Sequence, residues 1–171
     1  TVNIGVNPVN DPPKFDDPNN PNYDPVTGNY KATTDEDKPV SGKVNATDVD
    51  GDALTFAKGS NPSHGTVTVD ANGNWTYTPS KNYNGTYSFP IPVSYPTRRS
   101  AAPTVNIGVN PVNDPPKFDD PNNPNYDPVT GNYKATTDED KPVSGKVNAT
   151  DVDGDALTFS KGSDPSHGTV T

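Results

Sequence analysis

Residues 1–68 return as residues 104–171, a period of 103, with two changes: Ala57 becomes Ser160 and Asn61 becomes Asp164. Near-identity over that length marks one unit duplicated recently. A period near 100 residues suits a sandwich-sized domain and is too long for a solenoid turn of about 20–45 residues. The chain therefore reads as domains in tandem. It breaks at NPVNDPP, residues 7–13 and 110–116, where paired prolines remove backbone donors and stiffen an extended path that no sheet can continue through. On this basis residues 1–10 are expected to be the last strand of a preceding repeat, 11–113 one complete repeat, and 114–171 the first part of the next. Because it starts at Thr1, the chain reads as a piece of a longer protein.

Within 11–113 the strand signals are short and evenly spaced: KVNATD (43–48), ALTFAK (53–58), GTVTVD (65–70), NWTYTP (74–79), GTYSFPIPV (85–93) and PTVNIGV (103–109). Each alternates apolar with polar residues, as a half-buried strand must. No stretch has a helical period. Asn72-Gly73 is expected to supply the positive backbone dihedrals of a hairpin turn between GTVTVD and NWTYTP. Trp75, Tyr77, Phe56, Leu54, Phe89 and Val93 are the expected core, each worth about 1.5–3 kcal/mol when buried. Pro90 and Pro92 withhold ladder donors, so their strand should be an edge or defective. Residues 11–33, rich in Pro, Asn and Asp, should form Asx-turns and extended loops until NYKAT.

Val, Ile, Leu and Phe are only about 16% of residues, a disordered composition if spread evenly. Here they are clustered in alternating runs, which favours a folded all-β chain. With 13 Lys+Arg against 22 Asp+Glu the net charge is −9, a poor match for nucleic acid. There is no cysteine, so neither disulfide nor thiolate site can staple so small a core, which leaves cations or plain packing. No apolar run is long enough to span a membrane.

Of the 22 acids, 20 are aspartate, a turn and cation-ligand residue. They gather at three places per repeat: Asn10-Asp11, TDEDKP (34–39) and DVDGD (48–52), with counterparts at Asn113-Asp114, Asp138-Glu139-Asp140 and Asp151, Asp153, Asp155. No Lys or Arg lies between Thr47 and Ala57 to offset Asp48, Asp50 and Asp52. Either solvent screens them in an ordinary Asx-rich turn, or they hold a hard cation. In an extended segment their alternation would point all three to one side, with Gly51 permitting a bend. An EF-hand is ruled out, since Gly51 is fourth in the run and its twelfth residue is Gly59.

The order TDEDKPVSGKVNATDVDGDALTF, GTVTVDANGNWTYTP, YNGTYSF, TVNIGVNPVNDPP resembles the cadherin-like, or VCBS-type, tandem repeat of large bacterial adhesins of the RTX class. The likeness covers the complete repeat and both partial copies, apart from 11–33 and 95–102. It implies immunoglobulin-like Greek-key β-sandwiches in tandem, calcium at the junctions between neighbouring repeats, and an extracellular or cell-surface extender supporting adhesion, without catalysis or membrane insertion. It also implies calcium ligands: Asn10, Asp11, Glu36, Asp48, Asp50 and Asp52, and in the next copy Asn113, Asp114, Glu139, Asp151, Asp153 and Asp155. VSYPTRRSAAP (93–103) departs from the family's aspartate-glycine turn, with Tyr95 in the aspartate's place and Arg98-Arg99 adding positive charge. A second reading is a carbohydrate- or ligand-binding module using Tyr23, Tyr30 and Tyr83. His64 and His167, in SHGT, are expected in a turn and have no nucleophile or base beside them. Residues 114–171 lack counterparts of Trp75, Tyr77 and Phe89, so that copy is expected to be poorly ordered alone or to borrow residues 2–7 from another chain.

Overall fold

The computed structural model describes residues 1–95, 98–99 and 102–171. The chain divides into two compact units, Thr1–Val112 and Asn113–Thr171, and none of the described residues is helical. The strands of the first unit begin with β1 (Tyr23–Asp24), β2 (Asn29–Asp35), β3 (Val40–Lys43), β4 (Thr55–Phe56) and β5 (Gly65–Val69). After them come β6 (Asn74–Pro79), β7 (Gly85–Pro90), β8 (Val93–Tyr95), β9 (Arg98–Arg99) and β10 (Thr104–Asn110).

One layer has the order β1-β2-β10-β7; the other is built from β3-β6-β5 and β4-β8-β9. The central strand β10 runs parallel to β2 and antiparallel to β7. Its alternation buries Val105, Ile107 and Val109. Facing them, β6 sends Trp75 and Tyr77 inward against Phe89 of β7, at ring distances of 5.6 and 6.3 Å. Phe56, Val67, Ile91 and Val93 complete the core, with Leu54 half-buried at its margin.

Several expectations shift by a few residues, each for a physical reason. The hairpin β5–β6 forms with Val69 opposite Trp75, but only Gly73 has a positive φ, +83°. Its N–H donates to the Asp70 carbonyl at 3.1 Å, and the Asp70 carboxylate accepts from the Asn72 and Asn74 amides at 2.9 Å. The turn is thus a single-turn-plus-bulge type, in which one left-handed residue suffices. The strand expected at 43–48 lies earlier, at β3, because β6 pairs with Val40–Lys43. Beyond Lys43 the chain is drawn off: Asn45 donates to the Asp17 carboxylate at 3.0 Å, and Thr47 bridges Lys14.

The run SFPIPV is cut at its prolines. β7 is an edge strand ending at Pro90, and Val93 begins β8 in the other layer. Lacking donors, Pro90 and Pro92 still accept, from Gly59 and Ala57 at 3.2 and 3.1 Å, which carries the chain between layers. Of the diverged loop, residues 96–97 and 100–101 lie outside the described residues. Thr1–Asn10, expected as a strand, carries none and is exposed throughout. A strand needs a partner for its N–H and C=O groups, and this segment has none within its unit.

The second unit keeps less. Its strands are β11 (Tyr126–Asp127) and β12 (Asn132–Tyr133), with a bridge between Lys117 and Thr150. Phe118, Val143, Val147 and Phe159 are exposed.

Candidate metal centre

The DVDGD run is not extended. The Gly51 N–H turns back toward the Asp48 carbonyl at 3.4 Å and Gly51 adopts φ +79°, closing a loop. Within it one oxygen of Asp48 accepts the Asp50 and Asp52 amides at 2.9 and 3.2 Å, an Asx-turn that the aspartate spacing makes possible. The other Asp48 oxygen and one Asp52 oxygen are buried and have no hydrogen-bond partner. A buried carboxylate oxygen without a donor is costly unless a cation faces it. Asp50 reaches the linker instead, where its carboxylate accepts the Asp11 backbone N–H at 2.7 Å. Asn10 donates only to the Asp11 carbonyl, at 3.2 Å, and both linker side chains are exposed.

Glu36 belongs to a different end of the unit. It follows the last residue of β2, is 4% exposed, and accepts the Val112 backbone N–H, while its own N–H donates to the Asn110 carbonyl at 2.9 Å. Beside it Asp35 is held below the usual carboxylate range by the Asn110 amide and then by Lys38. The opposite end of β2 carries Tyr30, whose hydroxyl contacts Asp17 and Asn45 at 3.3 Å. At about 3.3 Å per residue the strand between them spans about 20 Å. The six residues implied for one repeat therefore form two groups: Asn10, Asp11, Asp48, Asp50 and Asp52 at one end, Glu36 at the other.

The second copy repeats the loop. Asp151 accepts from Asp153 and Asp155 at 2.9 and 3.2 Å, Asp153 accepts the Asp114 N–H at 2.7 Å, and Asn113 donates to the Asp114 carbonyl at 3.2 Å. Glu139 is exposed. Among the described residues no three Asp, Glu or His side chains converge closely enough to hold a metal ion by themselves. Calcium takes six to eight oxygens, so an ion at Asp48 and Asp52 would draw the rest from backbone carbonyls, amides or water.

Asp17 is a buried acid that the sequence reading missed. Its carboxylate collects Asn20, Asn45 and Tyr30 within 3.3 Å, and Asp120 does the same for Asn123 and Tyr133. The signal was available in the spacing DDPNN, an Asx pattern that closes on itself. Burial pushes the Tyr30 hydroxyl up to about 12. Tyr30 is core, 1% exposed, and Tyr23 is half-buried with its hydroxyl on the Phe15 carbonyl. Of the three tyrosines expected to face a sugar, only Tyr83 is exposed, stacked on His64 at 3.7 Å.

No helix among the described residues is long and apolar enough to cross a membrane. No curated protein matches the sequence. Among solved structures an endo-fucoidan hydrolase of glycoside hydrolase family 107 is similar at 23% identity and a TM-score of 0.41, over 57% of this chain and 13% of that one. Residues 22–108 and 125–171 match the bacterial Ig domain family, a run in each copy that in the first takes in β1 to β9 and the first part of β10. This chain therefore belongs to the bacterial Ig domain family, its fold an immunoglobulin-like β-sandwich.

Proposed function

We propose that the chain is part of the stalk of an exported bacterial surface protein, its immunoglobulin-like repeats acting as non-catalytic extenders that support cell adhesion. On this reading the repeats are cadherin-like, of the kind found in RTX-class adhesins, and calcium stiffens them. The observation that carries it is the pair of buried Asp48 and Asp52 oxygens that have no hydrogen-bond partner. Hard cations suit such oxygens, and clustered like charges are otherwise repulsive. The near-exact repetition of one unit supports the extender role, since recopying adds length without adding a new kind of site. Asp48, Asp50 and Asp52 would hold the ion, with Asp11 beside them; Asp151, Asp153, Asp155 and Asp114 would do so in the next copy. Glu36 and Glu139 belong to a separate ligand group. The partners are neighbouring repeats of the same chain.

A thermal melt in calcium and in chelator tests this. Calcium at a hundredfold excess over its Kd should raise stability by about 2.7 kcal/mol. Asp48→Asn combined with Asp52→Asn should abolish the shift. Identical melting temperatures with and without calcium would remove the metal from the reading.

A further inference from the structure

Seven bonds of the chain join an aspartate to a proline, and in five of them the carboxylate is engaged. Asp17 accepts from Asn20 and Asn45 at 2.9 and 3.0 Å, and Asp120 from Asn123 and Tyr133 at 2.9 and 3.2 Å. Asp24 and Asp127 each accept the amide two residues on, at 3.0 Å, and each pairs with a lysine. Asp164 holds Lys161 at 3.0 Å and the Val170 N–H at 3.1 Å. The two linker aspartates, Asp11 and Asp114, differ in kind. Among the described residues only their main chains are bonded. The N–H of each donates to Asp50 or Asp153 at 2.7 Å, and the carbonyl of each accepts the side-chain amide of the preceding Asn10 or Asn113 at 3.2 Å. The prolines that follow them, Pro12 and Pro115, are exposed.

We propose that Asp11–Pro12 and Asp114–Pro115 are self-cleaving bonds, each cut by its own aspartate while the preceding asparagine polarises the carbonyl. Proline opens this route: with no N–H it cannot turn on the aspartate side chain to close a succinimide, and it leaves as a secondary amine. Nucleophile and carbonyl belong to one residue, so no encounter is needed. A carboxylate oxygen of Asp11 bonds to the Asp11 carbonyl carbon, and the charge displaced onto the carbonyl oxygen is met by the Asn10 amide already bonded to it. Collapse of this intermediate breaks the C–N bond, and the Pro12 nitrogen takes a proton from solvent and departs as a new N-terminus. The five-membered anhydride left at residue 11 is opened by one water into two carboxylates, and the two hydrogens of that water account for those on the freed proline ammonium. No other reactant enters. Cutting at both bonds frees residues 12–114, one whole period, with β1 to β10 inside it. The sandwich is released intact.

The test holds the full chain in warm, mildly acidic buffer, at a pH where Trp75 fluorescence stays native, and follows intact mass. Chelator is present, so the result is independent of the calcium reading. Fragments 1–11, 12–114 and 115–171 should appear at least about tenfold faster than any cut at the other five Asp-Pro bonds. In denaturant, where the side-chain contacts are gone, all seven bonds should cut at similar rates. Asn113→Ala should slow the 114–115 cut about tenfold, less than the loss of an enclosed oxyanion donor because Asn113 is exposed. The 11–12 cut in the same molecule is its internal standard and should not change. Asp114→Ala should end the 114–115 cut. Protease inhibitors should leave the rates alone, and added hydroxylamine should cap residue 114 as a hydroxamate, the trace of an anhydride. Cuts spread evenly over the seven bonds of the folded chain, an Asn113→Ala chain cut as fast as its parent, or no cut over weeks overturns the proposal.

Discussion

Residues 29–35 and 132–138 share the sequence NYKATTD, yet the first set is a seven-residue strand and only the first two residues of the second are. Much of what is local is alike in the two copies. Each has the Asp-to-Gly turn, Asp24 to Gly28 and Asp127 to Gly131, at 2.8 Å. Each ties a tyrosine hydroxyl to an aspartate and an asparagine carbonyl, Tyr30 and Tyr133 in turn. What differs is long-range: β10 pairs with β2 across some 75 residues, and β6 brings Trp75 over the core. Val44 is fully buried where Val147 is 42% exposed, and Phe56 is 9% exposed where Phe159 is 56%. Short-range polar bonds shape the loops of this fold by themselves, while its strands exist only as pairs.

The strongest way to break that comparison is to supply the missing partners. Appending residues 69–113 after Thr171 should turn 132–138 into a full strand. Hydrogen exchange there should slow by orders of magnitude, to the level of 29–35. Fast exchange at 134–138 in the extended chain would mean that pairing is not what separates the copies.

Paired glycines sharpen the contrast on a smaller scale. A Cβ on Gly42 would lie 2.4 Å from the Trp75 ring, whereas at Gly145 nothing stands within 4 Å. Gly42→Ala should cost about 1–3 kcal/mol by overpacking. Gly145→Ala should stay within about 0.5 kcal/mol, as open surface positions do. Chemical denaturation of the two single variants, followed by Trp75 fluorescence for the first and exchange for the second, checks both.

The same division explains what could be read from the sequence. GTVTV and NWTYTP were legible because their partners are adjacent and one turn joins them. The DVDGD loop was legible as an acid cluster, since Asp48 bonds two and four residues on. KVNATD was misplaced although its alternation is real: what moves it is Lys14 and Asp17, some 30 residues upstream. That Glu36 stands apart from Asp48 was illegible too, because its position depends on β2 lying parallel to β10. Spacing along the chain cannot reveal which end of a strand a residue shares with another one 76 positions away.

Alkaline titration probes the core that only the first unit has. Burial raises the Tyr30 and Tyr77 hydroxyls from an ordinary 10 to about 12. Between those values the unfolded chain loses these protons while the folded one keeps them, so folding is fully supported below pH 10 and weakens as pH rises toward 12. Trp75 fluorescence and phenolate absorbance should change together across that window. Phenolate appearing near pH 10 in step with free tyrosine, with Trp75 still native, would show that these two hydroxyls are not shielded.

The smallest expected effect separates two ion pairs that look alike. Lys31 lies 3.1 Å from Asp24 and Lys134 lies 3.4 Å from Asp127, the lysines exposed and the aspartates half-buried. Both aspartates sit below the usual carboxylate range, for different reasons. The Lys31 hydrogen bond is the main cause for Asp24, while for Asp127 the Val129 backbone amide leads and Lys134 comes behind. A depressed carboxylate supports the fold above its unfolded pKa and loses that support as pH falls through the folded one. Lys31→Ala should therefore raise the Asp24 pKa more than Lys134→Ala raises that of Asp127, as read by carboxyl-resonance titration. Melting temperatures should scarcely move in either variant, since exposed pairs contribute little. Equal pKa changes would mean that the longer Lys134 contact is as strong as its counterpart, and that the two hairpins, which share one sequence, also share one electrostatic surrounding.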